Sequence, residues 1–371
     1  MEIRELSFFQ TFRCLSSACP ETCCRGWLIP LEPDDITRLG QEKGLFKLRY
    51  LLATGWGVKK HFNSSSGICP FLNRRGLCSM QLEKGHDFLP EACREYPRFY
   101  RNWGLWEERM IDLSCVAGAR LWFDHFRDLT FVSREGEPAS GKDSTNEDET
   151  YLRALERLRR EMTDALLKAD TIQDLKHVLF VIDDFARELQ GTFLHASDAR
   201  IAHAKMLDFD KKLCKPEEQR ELFPFSSKTF QKIMKTHLFS ERLSHANPSL
   251  HMLCKLYYDE ADFPNSFEKM WDEWAGSFLE RYEKYIPYYA SLFAYYLYQH
   301  FLWTYEDYSF QKNIRTGLIH INMKLLFDVL LERAQKTISD DDFISTISVY
   351  NRRAYFNMKV LDEMYAAVQN I

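Results

Sequence analysis

Ten cysteines stand in this chain of 371 residues, and eight of them come early: Cys14, Cys19, Cys23 and Cys24, then Cys69, Cys78, Cys93 and Cys115. Three chemistries would use thiols at that density. Structural disulfides need an oxidising compartment, but the opening Met1-Glu2-Ile3-Arg4-Glu5 carries acids and no apolar run of the kind a secretory leader needs. Unrelated buried thiols pack as small hydrophobes, which gives no reason for them to gather in one third of the chain. Metal or cluster ligation is the reading the pattern favours. Thiolates are the preferred ligands of zinc, copper(I) and iron-sulfur clusters, and a loop-rich segment gains order by holding one.

Spacing narrows the site without closing it. Cys19-Pro20-Glu21-Thr22-Cys23 is a tight loop whose two sulfurs can converge, whereas vicinal Cys23 and Cys24 project differently, so one of that pair is expected to stand outside the ligand shell. The Cys-x2-Cys knuckle of a zinc ribbon is missing, and the Cys-x3-Cys-x2-Cys of radical S-adenosylmethionine enzymes fails because Gly26 stands where its third cysteine would be. One four-thiol site with spares and two separate sites both stay open, as do iron-sulfur and zinc. Trp27, after Arg25 and Gly26, either screens such a site from water or fills a small core. Arg94 and Arg98 flank Cys93; they either donate to sulfur and favour thiolate or pair with Glu91 and Glu95.

The segments Cys14-x4-Cys19-x3-Cys23-Cys24-Arg25-Gly26-Trp27, Gly67-Ile68-Cys69-Pro70-Phe71-Leu72, Gly76-Leu77-Cys78, Cys93-Arg94-Glu95-Tyr96-Pro97-Arg98 and Leu113-Ser114-Cys115 together resemble the flagellin lysine N-methylase family. The first third also resembles the wider group of cysteine-rich zinc- or iron-chelating domains. The resemblance implies an enzyme that moves methyl groups from S-adenosylmethionine onto lysines of flagellin, with a 4Fe-4S cluster in the cysteine-rich part. Such chemistry needs a neutral lysine amine held in line with a methyl sulfonium. Tyr96, Glu107, Glu108 and Asp112, which lie among the cysteines in sequence, are candidates to contact that amine; the plainer reading makes the acids solvated surface and the tyrosine core.

A Rossmann cradle for the methyl donor is not visible, since Gly55-Trp56-Gly57 lacks a third glycine and reads as a turn. A cradle of another kind is expected, with an open iron accepting the amino-acid part of the donor. The rival to an enzyme is a non-catalytic metal-binding or electron-carrying module built on the same cysteines. Cys214 and Cys254 read as structural, and Asp340-Asp341-Asp342 as a helix N-terminus favoured by the dipole rather than a metal site.

The elements that must position these residues differ along the chain. Twelve of the 15 glycines precede residue 142, so a mainly α fold is expected in two parts: a cysteine-rich, loop-rich metal- or cluster-binding region over 1–132 and an all-helical region over 151–371. Residues 133–150, with six acids, two bases and Pro138, read as a solvated linker. Tyr151, Leu155, Leu158, Met162 and Leu166 predict one amphipathic helix. A second begins at a capping box of Thr171 and Asp174 and stops at Gly191, and a third begins at Ser339 and Asp342 and continues to Tyr365.

From Tyr285 to Tyr305 the only ionisable cation or acid is His300, but seven tyrosines, Pro287 and Gln299 make that stretch a core helix rather than a membrane span. Aromatic helices of this half are expected to form the groove for the protein substrate. A net charge of -5 provides no field for nucleic acid, and a cytoplasmic location is expected.

Overall fold

A computed structural model describes residues 1–25, 29–54, 61–62, 68–195, 204–214 and 267–355. The chain opens with strand β1 (Glu2–Leu6), which turns Ile3 and Leu6 inward. Helices α1 (Pro33–Gln41), α2 (Gly44–Thr54), α3 (Ser79–Lys84) and α4 (Glu91–Glu95) follow. Strands β2 (Arg98–Asn102) and β3 (Trp106–Ile111) then pair as a hairpin, α5 (Val116–Phe123) leaves the end of β3, and β4 (Phe131–Glu135) completes the sheet. The strand order is β2-β3-β1-β4, with β1 parallel to β3 and the other two pairs antiparallel. The hairpin is tight because Gly104 adopts φ 88° and its N–H donates to Asn102 Oδ1 at 2.9 Å.

Residues 1–132 are therefore more regular than the loop-rich reading. The sheet is hard to see in the sequence because β3 breaks binary alternation. Glu107 and Glu108 are adjacent, point to opposite faces and are both buried.

The helical part comprises α6 (Glu149–Leu167), α7 (Ile172–His195), α8 (Phe209–Leu213), α9 (Phe267–Arg281), α10 (Ile286–His300), α11 (Thr304–Asp307), α12 (Phe310–Gln335) and α13 (Asp340–Tyr355). The apolar stripe of α6 is buried throughout. At the start of α7, Thr171 N donates to Asp174 Oδ2 and Asp174 N to Thr171 Oγ1, each at 3.1 Å, which is the reciprocal cap. Helix α7 does not stop at Gly191 but runs on to His195. A mid-helix glycine costs only about 1 kcal/mol, which the packing of α7 against α12 offsets. Ser339 and Asp342 cap α13 in the same reciprocal way; the periodic positions beyond Tyr355 lie outside the described residues.

Helix α10 carries the tyrosine-rich stretch and is buried on nearly every side. It approaches α12 so closely at Gly317 that a Cβ there would lie 2.4 Å from Tyr296 Cδ1. Among the described residues no helix is long and apolar enough to cross a membrane.

Two apolar cores result. The larger runs from Leu6, Phe8, Trp106 and Trp122 into α6, α10 and α12, so sheet and helices share it. The smaller gathers Leu39, Phe46, Tyr50, Phe71, Met80 and Cys69, with Cys24, Cys78 and Cys93 packed against it.

Residues 133–150, expected to be a solvated linker, are mostly exposed, and hydrogen bonds fasten them on both sides. Ser133 to Glu135 pair within β4. Asn102 N donates to Asp143 Oδ2 at 2.6 Å, and Glu306 of α11 accepts from the backbone of Thr145 and Asn146 at 3.1 Å each. The polar composition of this stretch serves fixed hydrogen bonds between the sheet and the helices.

Candidate functional site

The small core brings together thiols that are far apart in sequence. Cys69 N donates to Cys24 O at 2.8 Å, and a bridge between Arg25 and Ile68 laces the same two segments. A second bridge, Leu72 to Cys78, turns the chain so that Cys78 sits immediately before α3. In consequence the Cys24 thiol is in hydrogen-bonding contact with those of Cys23, Cys69 and Cys78. Cys69 is buried, Cys24 and Cys78 are half-buried and Cys23 is exposed.

This contact divides the protons unevenly. The Cys24 hydrogen bond draws Cys78 down to about 6 and Cys23 to about 7, and holds Cys69 below the usual thiol range. Cys24, which keeps the proton among three neighbours, is pushed up. Backbone N–H groups of Gln81 and Met80 at the start of α3 add to the stabilisation of the Cys78 thiolate. Cys93 also faces Cys69, Cys23 and Cys78, but burial pushes its thiol well above the ordinary value.

The remaining thiols form a neighbouring group. Cys19 lies near Cys14 and Cys23 and is raised by burial. Cys115, just before α5, lies near Cys19, and burial pushes it up to about 12. Cys14 accepts from Ser16 N at 3.3 Å. Among the described residues no group of three or more His, Cys, Asp or Glu side chains stands in metal-holding geometry. Trp27, Gly55-Trp56-Gly57 and Cys254 lie outside the described residues, and Cys214 is exposed.

Two of the four candidate amine contacts stay beside the thiols. Tyr96 Oη and Ser114 Oγ are 3.0 Å apart, and Ser114 N donates to Asp112 Oδ1 at 2.7 Å, immediately before Cys115. Burial raises both Tyr96 and Asp112 above their ordinary values.

Glu107 and Glu108 are buried and engaged within the sheet and its neighbours. Glu107 accepts from Arg109 Nε at 2.8 Å and from the backbone of Ala139 and Ser140 at 2.7 and 3.0 Å. Glu108 accepts from Trp106 Nε1 at 3.0 Å and from Arg159 of α6. Neither faces the thiols, because β3 directs them into the sheet's own contacts.

Arg94 donates to Glu95 at 3.4 Å, and Arg98 lies over the rings of Phe12 and Phe9 at 5.1 and 5.8 Å. Asp341 and Asp342 of the acidic run pair with Arg120 and cap α13, as a helix N-terminus would use them.

One residue that the sequence gave no reason to single out enters the site from α13. Arg352 donates to the Ser114 carbonyl, 238 positions away, through Nη2 at 2.9 Å and Nε at 3.3 Å. Its Nη1 donates to the Thr22 carbonyl at 3.0 Å. A lone arginine in an amphipathic helix carries no local signal of such a role.

No family model and no solved structure matches the chain. Among curated proteins it is 27% identical over 123 residues to the flagellar biosynthetic protein FliU of Salmonella muenchen, an alignment covering 30% of this chain and 72% of that protein. It is also 27% identical over 122 residues to the lysine-N-methylases of Salmonella typhimurium and Salmonella choleraesuis, covering 30% of this chain and 30% of each of theirs. The chain thus matches less than a third of the length of those two relatives. Over about 30% of its length, therefore, the chain is similar to proteins named lysine-N-methylase and flagellar biosynthetic protein FliU.

Proposed function

We propose that the chain is a protein-lysine N-methylase that acts on flagellin, draws its methyl group from S-adenosylmethionine and holds a 4Fe-4S cluster on N-terminal thiols. The observation that carries this reading is the meeting of Cys23, Cys24, Cys69 and Cys78 in one cluster, in a chain whose relatives are named lysine-N-methylases.

The donor set suits the cofactor. Four soft sulfur donors, with Cys24 in the middle and the other three drawn toward thiolate, match a thiophilic metal or cluster better than a hard cation by their chemistry. Cys24, Cys69 and Cys78, with Cys23 or Cys93, would hold it. Bound there, an iron-sulfur group would supply an iron able to accept the amino-acid part of the methyl donor.

The chain's own residues then act on the amine. Transfer forms a bond from lysine Nζ to the methyl carbon and breaks the carbon-sulfur bond of the donor, which leaves as a neutral thioether; the lysine ammonium must therefore lose one proton before transfer, and the methylated product leaves as an ammonium. Asp112 and Tyr96 adjoin Cys115: the Asp112 carboxylate is the group to take that proton, and the Tyr96 hydroxyl to orient the amine. Flagellin is the protein partner in this reading, and the location is cytoplasmic.

The test is anaerobic purification with iron and sulfide analysis, followed by incubation with labelled S-adenosylmethionine and flagellin monomers and mass spectrometry of lysines. The expected result is a brown protein that adds methyl groups to flagellin lysines. An iron-loaded protein that transfers none would overturn the enzymatic reading in favour of a metal-binding or electron-carrying module. A colourless zinc protein would overturn the cluster.

A further inference from the structure

The thiol-bearing stretches hang on different parts of the two cores. The Cys19–Cys24 loop leads into the small core, while Cys115 stands at the edge of the large one. Between them lies the guanidinium of Arg352, in the last helical turns of α13. It is only 4% exposed. Its Nη1 reaches Thr22 O at 3.0 Å, one residue before Cys23, and also Glu21 Oε2 at 3.4 Å. Its Nε and Nη2 both reach Ser114 O, one residue before Cys115. One rigid fork thus joins the backbone beside one thiol group to the backbone beside the other.

We propose that Arg352 is a positioning residue for the thiol site, clamping the Cys19–Cys24 loop to the Ser114–Cys115 turn so that Cys23 and Cys24 are held beside Cys69 and Cys78, ready for a soft metal. The inference rests on the reading of these thiols as ligands.

Two features separate a clamp from ordinary packing. The carbonyls it takes belong to loop residues on either side of the thiols, and each loop lies far from α13 in sequence. The charge is also placed to matter. The buried guanidinium pairs with Glu21 at 3.4 Å and acts on Asp112 as well, and its other acceptors are neutral carbonyls. Cys19, Cys23 and Cys115 also lie within its field, so negative charge on sulfur ligands in the loaded site would be stabilised by it.

The experiment uses the full chain, reduced and freed of metal under anaerobic conditions, titrated with Cd2+ and followed by the thiolate-to-metal charge-transfer band. Arg352→Gln is expected to weaken Cd2+ binding roughly 10- to 100-fold, the usual effect of removing an outer partner that orients ligands. It should also raise amide hydrogen exchange over residues 14–24. Arg352→Lys, which restores charge without the fork, should recover part of the affinity and none of the exchange protection. Lys211→Gln, an exposed substitution on α8, should leave Cd2+ affinity unchanged.

Wild-type affinity and exchange in Arg352→Gln would overturn the clamp while leaving the thiol site standing. Absence of the band in the wild type would overturn the reading of the thiols as ligands, and the clamp with it. Should Arg352→Gln lack the helical circular dichroism of the wild type, Arg352→Lys decides: unchanged affinity and exchange in that variant overturn the proposal.

Discussion

Arg159 of α6 donates through Nη1 to Glu108 Oε2 of β3 at 2.9 Å, and both side chains are 2% exposed, so one buried ion pair fastens the first long helix to the sheet. Arg159 Nη1 also reaches the Tyr298 carbonyl at 3.3 Å, and the guanidinium lies over the Tyr298 ring at 4.8 Å. Three elements meet at that cation, which explains why a glutamate sits where a strand would ordinarily present an apolar residue.

The pair makes a prediction that separates structure from catalysis. Glu108→Gln leaves Arg159 buried without its counter-charge and should cost about 3–5 kcal/mol of unfolding free energy. Urea denaturation measures it. Thiol reactivity and Cd2+ binding of the folded variant should match the wild type; a catalytic or ligand role for Glu108 would instead show as altered function at full stability.

A second buried pair lies wholly within the helices. Lys324 and Asp328 are one turn apart on α12 and fully buried, and Asp328 also accepts from Tyr289 at 2.7 Å and Thr346 at 2.7 Å. Burial draws Lys324 down to about 8 and pushes Asp328 up. Replacing Lys324 by Met strands the carboxylate and should cost about 3–5 kcal/mol, while the double change Lys324→Met with Asp328→Asn should recover part of the loss. Equal midpoints for the single variant and the wild type would contradict this account.

Stability should fall in acid for a specific reason. Burial lowers His320 to about 3 and His300 well below its ordinary value, whereas an unfolded histidine titrates near about 6.5. The unfolded chain therefore takes up these protons first. Their contribution is complete above about pH 6.5 and drains away as the pH falls below it, at about 1.4 kcal/mol per pH unit for each histidine. Urea midpoints measured at about pH 7.5 and pH 5 should show the decline, and His320→Gln should make it shallower.

The thiols should react in a defined order in the reduced, metal-free chain. Cys78 and Cys23, drawn down to about 6 and about 7, should alkylate readily at neutral pH. Cys93 and Cys115, which burial raises, should lag by at least an order of magnitude, since the thiolate is the reacting form. Mass spectrometry of iodoacetamide-labelled peptides gives the order, and loading with metal should protect Cys78 most. Uniform labelling would mean that the thiols do not share protons as described.

What the sequence determined by itself was local. Apolar residues at spacings of three and four placed α6, α7 and α13, and the Thr171–Asp174 and Ser339–Asp342 caps placed the starts of the latter two, because both signals act within one or two helical turns. The cysteine count and spacing likewise announced thiol chemistry. Tertiary structure decided the rest: that Cys24 meets Cys69 and Cys78 rather than standing apart, that Tyr96 and Asp112 adjoin Cys115 while Glu107 and Glu108 serve the sheet, and that Arg352 closes the site from the far end of the described chain. A carboxylate's role depends on the partner it meets and a strand's on the neighbour it pairs with. Both partners lie tens to hundreds of residues away, beyond the reach of any local pattern.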